Sequence, residues 1–76
     1  MGGKPKLPAI SGAEAIAALQ KIGFYVIRQK GSHIYVRRDD PYAQFSIPNH
    51  KTLYKGTIKN ICRIAALTIE DFNALI

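Results

Sequence analysis

Apolar and polar positions in this chain follow a helical period first, then a strand period, then a helical period again. The first apolar face consists of Ala15, Ile16, Leu19 and Ile22. These positions recur at the spacing of one side of a helix. Ser11 and Glu14 form the S-x-x-E pattern of a capping box, and Gly23 supplies a stop. We therefore predict a first helix of about three turns that begins at Ser11.

The middle of the chain alternates between apolar and polar residues, which is typical of β-strands. Residues 24–29 and 32–38 predict two strands joined by a hairpin with Lys30-Gly31 at its tip, because glycine tolerates positive φ. Residues 39–41 predict a turn, and residues 44–47 predict a short third strand with Phe45 and Ile47 inward. The strands would form a three-stranded antiparallel sheet.

The position of the hairpin turn decides which side chains share a face of this sheet. With two or four residues in the turn, we expect Arg28 opposite His33, Ile27 opposite Ile34 and Val26 opposite Tyr35. One face would then carry Arg28, His33, Tyr35 and Arg37. The other face, with Tyr25, Ile27, Ile34 and Val36, is apolar, so we expect helices to cover it.

The C-terminal third returns to a helical pattern. Ile58, Ile61, Cys62 and Ala65 would face the core of a second helix, capped by Thr57 or a residue just before it. Thr68 opens a short third helix with acidic residues in its first turn. The predicted fold class is therefore α+β, in the order α-β-β-β-α plus a short C-terminal helix. We divide the chain into a flexible basic tail, residues 1–8, and one domain, residues 9–76.

Charge points to a polyanionic partner. The chain has 11 Lys and Arg against 5 Asp and Glu, a net charge of +6. Residues 21–63 hold nine basic and two acidic residues, so this span alone carries 9 − 2 = +7. Nucleic acid is the natural partner for such a surface. The alternative is that the basic residues only solvate the surface of a small domain.

Several classes of function find no support in the sequence. A single cysteine, Cys62, gives no disulfide and no C-x-x-C spacing, which fits a reducing cytoplasm. No apolar run approaches the length of a membrane span, and no signal peptide or nucleotide-binding loop is present, so we expect no membrane contact and no cofactor. Asp39-Asp40 is typical of turn chemistry, and His33 with His50 lacks a third metal ligand.

His33 is the best candidate for chemistry, since it starts a strand directly after Gly31 and Ser32 and beside basic residues. RNA carries its own nucleophile, the 2′-hydroxyl, so one imidazole with phosphate-neutralising cations is able to cleave it without metal. A second site residue would be His50. The candidate RNA-binding residues are Arg28, Lys30, Ser32, Tyr35, Arg37 and the helix-2 stripe Lys55, Lys59 and Arg63.

The order of motifs resembles the HicA toxin family almost from end to end. The matching segments are Leu7-Pro8, Ser11-Gly12, Gly23-Phe24, residues 28–33, residues 47–50, residues 55–58 and residues 65–72. The resemblance implies a double-stranded-RNA-binding-like fold, an mRNA interferase activity with catalytic His33, and a HicB-type antitoxin partner. The chain departs from the family pattern in the turn at residues 39–42 and at Ala66, where the family usually has glycine.

Composition alone leaves other functions open. The same α-β-β-β-α layout would serve a non-catalytic RNA-binding module that grips the A-form backbone. It would also serve a structural protein whose basic face meets an acidic partner chain. Only the ribonuclease hypothesis makes His33 indispensable.

Overall fold

A computed structural model describes residues 6–76 and has the predicted α+β order. The elements are α1 (Gly12–Gln20), β1 (Tyr25–Lys30), β2 (His33–Asp39), β3 (Tyr42–Pro48), α2 (Lys55–Ala65) and α3 (Ile69–Leu75). The predicted tail lies partly outside the described residues, which begin at Lys6. Leu7 is half-buried against the core, and the Lys6 carbonyl accepts a hydrogen bond from the Asn73 side chain at 3.0 Å.

The three strands form one antiparallel sheet in the order β1-β2-β3, and the helices cover one of its faces. Along the central strand β2, burial alternates strictly: Ile34, Val36 and Arg38 are buried, while the residues between them are not. Phe45 and Ile47 of β3 pair with Val36 and Ile34 and point inward, as predicted. We call the helix-covered side the inner face and the opposite side the outer face.

The predicted register between β1 and β2 is wrong. Lys30, Gln29 and Arg28 lie opposite His33, Ile34 and Tyr35, so Gly31-Ser32 is the two-residue turn, one position later than predicted. Gly31 has φ +60°, as the first central residue of a II′ hairpin turn requires. A bulge between Val26 and Arg28 then shifts the pairing again.

This bulge changes which β1 residues share the outer face. Beyond it, Tyr25 lies opposite Arg37, so Tyr25 belongs to the outer face and not to the apolar inner face that we predicted. Arg28 stays on the face of His33, Tyr35 and Arg37, but its direct partner is Tyr35. Ile27, which we also predicted to point inward, is the extra residue at the bulge and is exposed.

Local sequence signals set the helix boundaries. The capping box that begins α1 is present as predicted: the Glu14 N–H donates to Ser11 Oγ, and the Ser11 N–H donates to Glu14 Oε1. Thr68 and Asp71 form a second capping box at the start of α3. The start of α2 follows Tyr54, whose side chain makes no capping hydrogen bond.

The core lies between the inner face and the helices. Its largest fully buried side chains are Leu19, Val36, Ile47, Ile58, Ile61 and Phe72. Burial of one such side chain contributes about 1.5–3 kcal/mol. Cys62 is buried on the core side of α2, as the helical period predicts, and desolvation raises the pKa of its thiol. This thiol therefore packs as a small apolar group.

One cation occupies a core position. Arg38 is buried on the inner face, where its guanidinium lies 4.6 Å from the centre of the Phe24 ring. Its Nε donates to the Pro41 carbonyl at 2.9 Å and its Nη2 to the Ala65 carbonyl at 3.4 Å. Arg38 therefore links β2 to the β2–β3 turn and to the C-terminal end of α2.

Ala66 adopts a backbone conformation that favours glycine. It follows α2 with φ 60° and ψ 43°, and the Leu67 N–H closes the helix end on the Cys62 carbonyl at 2.8 Å. The left-handed region costs an L-residue about 1 kcal/mol or more.

Ala66→Gly should therefore stabilise the protein by about 0.5–1 kcal/mol, measured by urea denaturation. Ala17→Gly is the matched control, because Ala17 is an exposed residue inside α1 with ordinary helical geometry. There the same change should destabilise by about 0.5–1 kcal/mol. Equal signs for the two variants would contradict the role of the left-handed conformation.

Candidate functional site

The outer face is polar and aromatic. The register places on it Tyr25, Arg28 and Lys30 of β1, His33, Tyr35, Arg37 and Asp39 of β2, and Tyr42, Gln44, Ser46 and Pro48 of β3. None of these residues is buried. The face thus combines three tyrosines with three cations and one carboxylate.

His33 lies at one corner of this face, where four segments meet. It pairs with Lys30 on one side and with Pro48 on the other. The Asn49 N–H donates to the Ser32 carbonyl at 2.6 Å, and the Gly12 N–H donates to the His50 carbonyl at 2.9 Å. We call residues 30–33, residues 48–50 and Gly12 the His33 corner. The fold therefore joins the two histidine-bearing segments that are 17 residues apart in the sequence (50 − 33 = 17).

Two stacked pairs organise the rest of the outer face. The Arg28 guanidinium lies 4.8 Å from the centre of the Tyr35 ring, and the Arg37 guanidinium lies 5.9 Å from the Tyr25 ring. Each pair is a cation–π contact. Both members of the second pair also bind Asp39: Arg37 Nε lies 2.9 Å from Oδ1, and the Tyr25 hydroxyl lies 2.9 and 3.1 Å from the two oxygens.

These contacts shift the pKa values of Asp39 and Tyr25. The hydrogen bond from Arg37, followed by that from Tyr25, holds the pKa of the Asp39 carboxyl below its ordinary value. Desolvation and the bond to Asp39 raise the pKa of the Tyr25 phenol, which therefore stays a donor near neutral pH. The only acid on the outer face is thus held as a partner of Arg37 and Tyr25.

The helix-2 stripe lies elsewhere. Lys55, Lys59 and Arg63 are exposed on α2, in the helical layer on the other side of the sheet from the outer face. Lys55 begins α2 shortly after the His33 corner. Arg63 lies near the opposite end, where the Ala65 carbonyl meets Arg38, and its guanidinium donates to Asn60 Oδ1 at 2.6 Å.

Most of the predicted site residues lie together in the structure, but two outer-face tyrosines were not predicted. The structure brings His33, Lys30, Ser32 and the His50 loop together at the corner, with Arg28, Tyr35 and Arg37 beyond them. Tyr25 and Tyr42 were missed as outer-face residues. Gly31-Ser32 is itself a typical two-residue hairpin loop, and this signal predicts the observed turn. The bulge that turns Tyr25 outward has no such signal, because neither glycine nor proline marks it.

Three negative findings concern residues 6–76. No three His, Cys, Asp or Glu side chains in this part of the chain lie together as metal ligands. No helix in it is long and apolar enough to cross a membrane. A groove between α1 and α3, lined mainly by Ala17, Ala18, Leu75 and Ile76, belongs to the helical layer and does not include His33.

Fold and site together define a small basic α+β protein with an exposed imidazole at the corner of a cationic sheet face. The family model described as HicA toxin of bacterial toxin–antitoxin systems matches residues 12–67, and the chain therefore belongs to the HicA toxin family. Its members are the toxins of toxin–antitoxin pairs, so the chain is a toxin with an antitoxin partner. No curated protein matches the chain.

Gly12 should be essential for the geometry of the His33 corner. A Cβ atom on Gly12 would collide with the Pro48 carbonyl oxygen. We expect Gly12→Ala to destabilise the protein by about 1–3 kcal/mol, measured by urea denaturation, and to shift the amide NMR signals of Asn49 and His50.

Gly56→Ala is the matched control, because a Cβ atom on this residue of α2 meets nothing within 4 Å. This variant should be neutral or more stable by up to about 1 kcal/mol. A Gly12→Ala protein as stable as the wild type, with unchanged signals at residues 49 and 50, would contradict the proposed contact.

The Asp39 contacts predict a pH dependence. Because the pKa of Asp39 is lower in the folded than in the unfolded protein, its contacts stabilise the fold above the ordinary Asp value of about 4. This stabilisation is lost as pH falls through the folded pKa. Tyr25→Phe should raise the Asp39 pKa, measured by carboxyl NMR titration. Tyr42→Phe should leave it unchanged, because the Tyr42 hydroxyl binds Gln44 instead. Equal pKa shifts in both variants would contradict this assignment.

Proposed function

We propose that this toxin is an endoribonuclease that cleaves mRNA in the cytoplasm without a metal ion, with His33 as the catalytic general base or acid. The observation that carries the proposal is the position of His33. It is exposed and lies directly opposite Lys30. The carbonyl of the preceding residue, Ser32, accepts a hydrogen bond from the Asn49 N–H in the loop that carries His50. Membership of the HicA family supports RNA as the target.

The chemistry needs few groups. The 2′-oxygen of the RNA attacks the adjacent phosphorus, and the His33 imidazole accepts the 2′-hydroxyl proton. The bond from phosphorus to the 5′-oxygen breaks, and the leaving oxygen takes a proton. The products are a 2′,3′-cyclic phosphate and a 5′-hydroxyl. Lys30, beside His33, and Arg28, two pairs further along the hairpin, neutralise charge that develops on the phosphoryl oxygens.

The proposal also assigns the remaining candidates. His50 is the candidate for the second proton transfer, since its segment adjoins His33 through the Asn49–Ser32 bond. Ser32, Tyr35 and Arg37 contact the RNA beside the scissile bond, and Lys55, Lys59 and Arg63 attract its backbone at longer range. A HicB-type antitoxin would inhibit the toxin by covering the outer face, because this face is open to solvent.

Replacement of His33 tests the proposal. His33→Ala should retain the fold, because the side chain is exposed at a strand end. Cleavage of a long single-stranded RNA should fall by about 10²- to 10⁴-fold, the usual contribution of general acid–base catalysis. Wild-type cleavage should persist in EDTA, and mass spectrometry should find 2′,3′-cyclic phosphate ends.

His50→Ala is the companion variant, and circular dichroism of both proteins controls for folding. A loss comparable to that of His33→Ala would identify His50 as the general acid. If His33→Ala cleaves at the wild-type rate, or loses activity only as it loses structure, His33 is not catalytic. The non-catalytic RNA-binding module would then be the better interpretation.

A further inference from the structure

The outer face carries more aromatic surface than catalysis at one corner requires. Tyr25, Tyr35 and Tyr42 come from three different strands and lie on one side of the sheet. A solvated sheet face is ordinarily polar, and Tyr42 keeps 67% of its surface exposed. Three cations, Arg28, Lys30 and Arg37, lie on the same face. Flat π-surfaces beside positive charge are the features with which proteins hold unpaired bases.

We propose that the outer face is a stacking platform, on which the bases of a single-stranded RNA stack against side chains. The RNA strand would run along β2 from His33 towards Asp39. The inference rests on the proposed function for the substrate and specifies its form: an extended strand with unstacked bases. β2 spans seven residues, about 20 Å, and in other RNA-binding modules a sheet stacks two or three bases.

The two cation–π pairs define the stacking positions. The Arg28 guanidinium lies over the Tyr35 ring, which holds it in place. The planar guanidinium therefore offers a base a cationic surface on which to stack. The Arg37–Tyr25 pair is the second position, and Asp39 fixes both of its members before RNA arrives. Less side-chain freedom then remains to be lost on binding. The ion pair with Arg37 also offsets the negative charge of Asp39, which would otherwise repel the phosphate backbone of the RNA.

An RNA duplex fits this face poorly. Its bases are stacked on each other and present only their edges and the sugar–phosphate backbone, so tyrosine rings on the sheet gain no π-contact. The helix-2 stripe consists of cations and belongs to the other layer. The outer face therefore favours the single strand.

Binding of RNA that resists cleavage tests the inference separately from the enzymatic proposal. The probe is a fluorescent 2′-O-methyl oligonucleotide of about ten residues, in which the 2′-oxygen is blocked. Its affinity for the full chain is measured by fluorescence anisotropy, as a single strand and as a duplex. We expect tighter binding of the single strand. Tyr35→Leu should weaken single-strand binding about 10-fold and change duplex binding by less than about twofold.

Two further variants make the result specific. Tyr35→Phe keeps the ring and should bind within about twofold of the wild type, which separates stacking from the hydroxyl and from folding. Tyr54→Leu removes a more exposed tyrosine that lies outside the sheet, before α2, and should also bind within about twofold.

The platform is excluded if the duplex binds more tightly, if Tyr35→Leu binds the single strand like the wild type, or if Tyr54→Leu weakens binding equally. Because the probe cannot be cleaved through its 2′-oxygen, an inactive enzyme would still give a clear result. Loss of the His33 assignment and loss of the platform are therefore distinguishable.

Discussion

The strict alternation of β2 is the constraint on which the rest of the structure depends. β2 is the central strand of a sheet with helices on one side only, so every second residue enters the core and the residues between them face solvent. Val36 is fully buried, whereas Tyr35 and Arg37 on either side of it form the outer face. A shift by one residue would exchange the two sets. The same register thus stabilises the fold and exposes His33.

Arg38 is unusual in this alternation, because it places a cation at a core position. The guanidinium is tolerated because carbonyl oxygens of Pro41 and Ala65 accept its N–H groups and the Phe24 ring lies against it. All three contacts lie at the end of the sheet away from His33. Arg38 therefore fastens that end of the domain, while backbone hydrogen bonds from Asn49 and Gly12 fasten the His33 corner. Both ends of β2 are fixed, so the outer face between them is held in one geometry.

Most of the fold and about half of the geometry of the site follow from local signals in the sequence. The capping box of α1, the helical period of α2 and the inward side chains of β3 were all predicted, because each depends on residues close together in the chain. The β1–β2 register was not. It depends on a turn one residue later and on a bulge at Ile27, and only tertiary pairing selects that bulge. The resulting Tyr25–Asp39 contact joins residues 14 positions apart, and no local pattern encodes it.

An open site has consequences for the kind of substrate and for its control. At the outer face, a small molecule would contact protein on one side only, whereas a polymer gains contacts at several positions along β2 and is held without an enclosing pocket. The exposure that would admit the proposed RNA substrate also leaves the His33 side chain uncovered by any described part of the chain. In the proposed function, inhibition would come from the antitoxin, and an exposed face with cations and tyrosines would suit an acidic protein surface as well as RNA. If the proposed function holds, the antitoxin and the substrate would compete for the same side chains, and the register of β2 would determine both interactions.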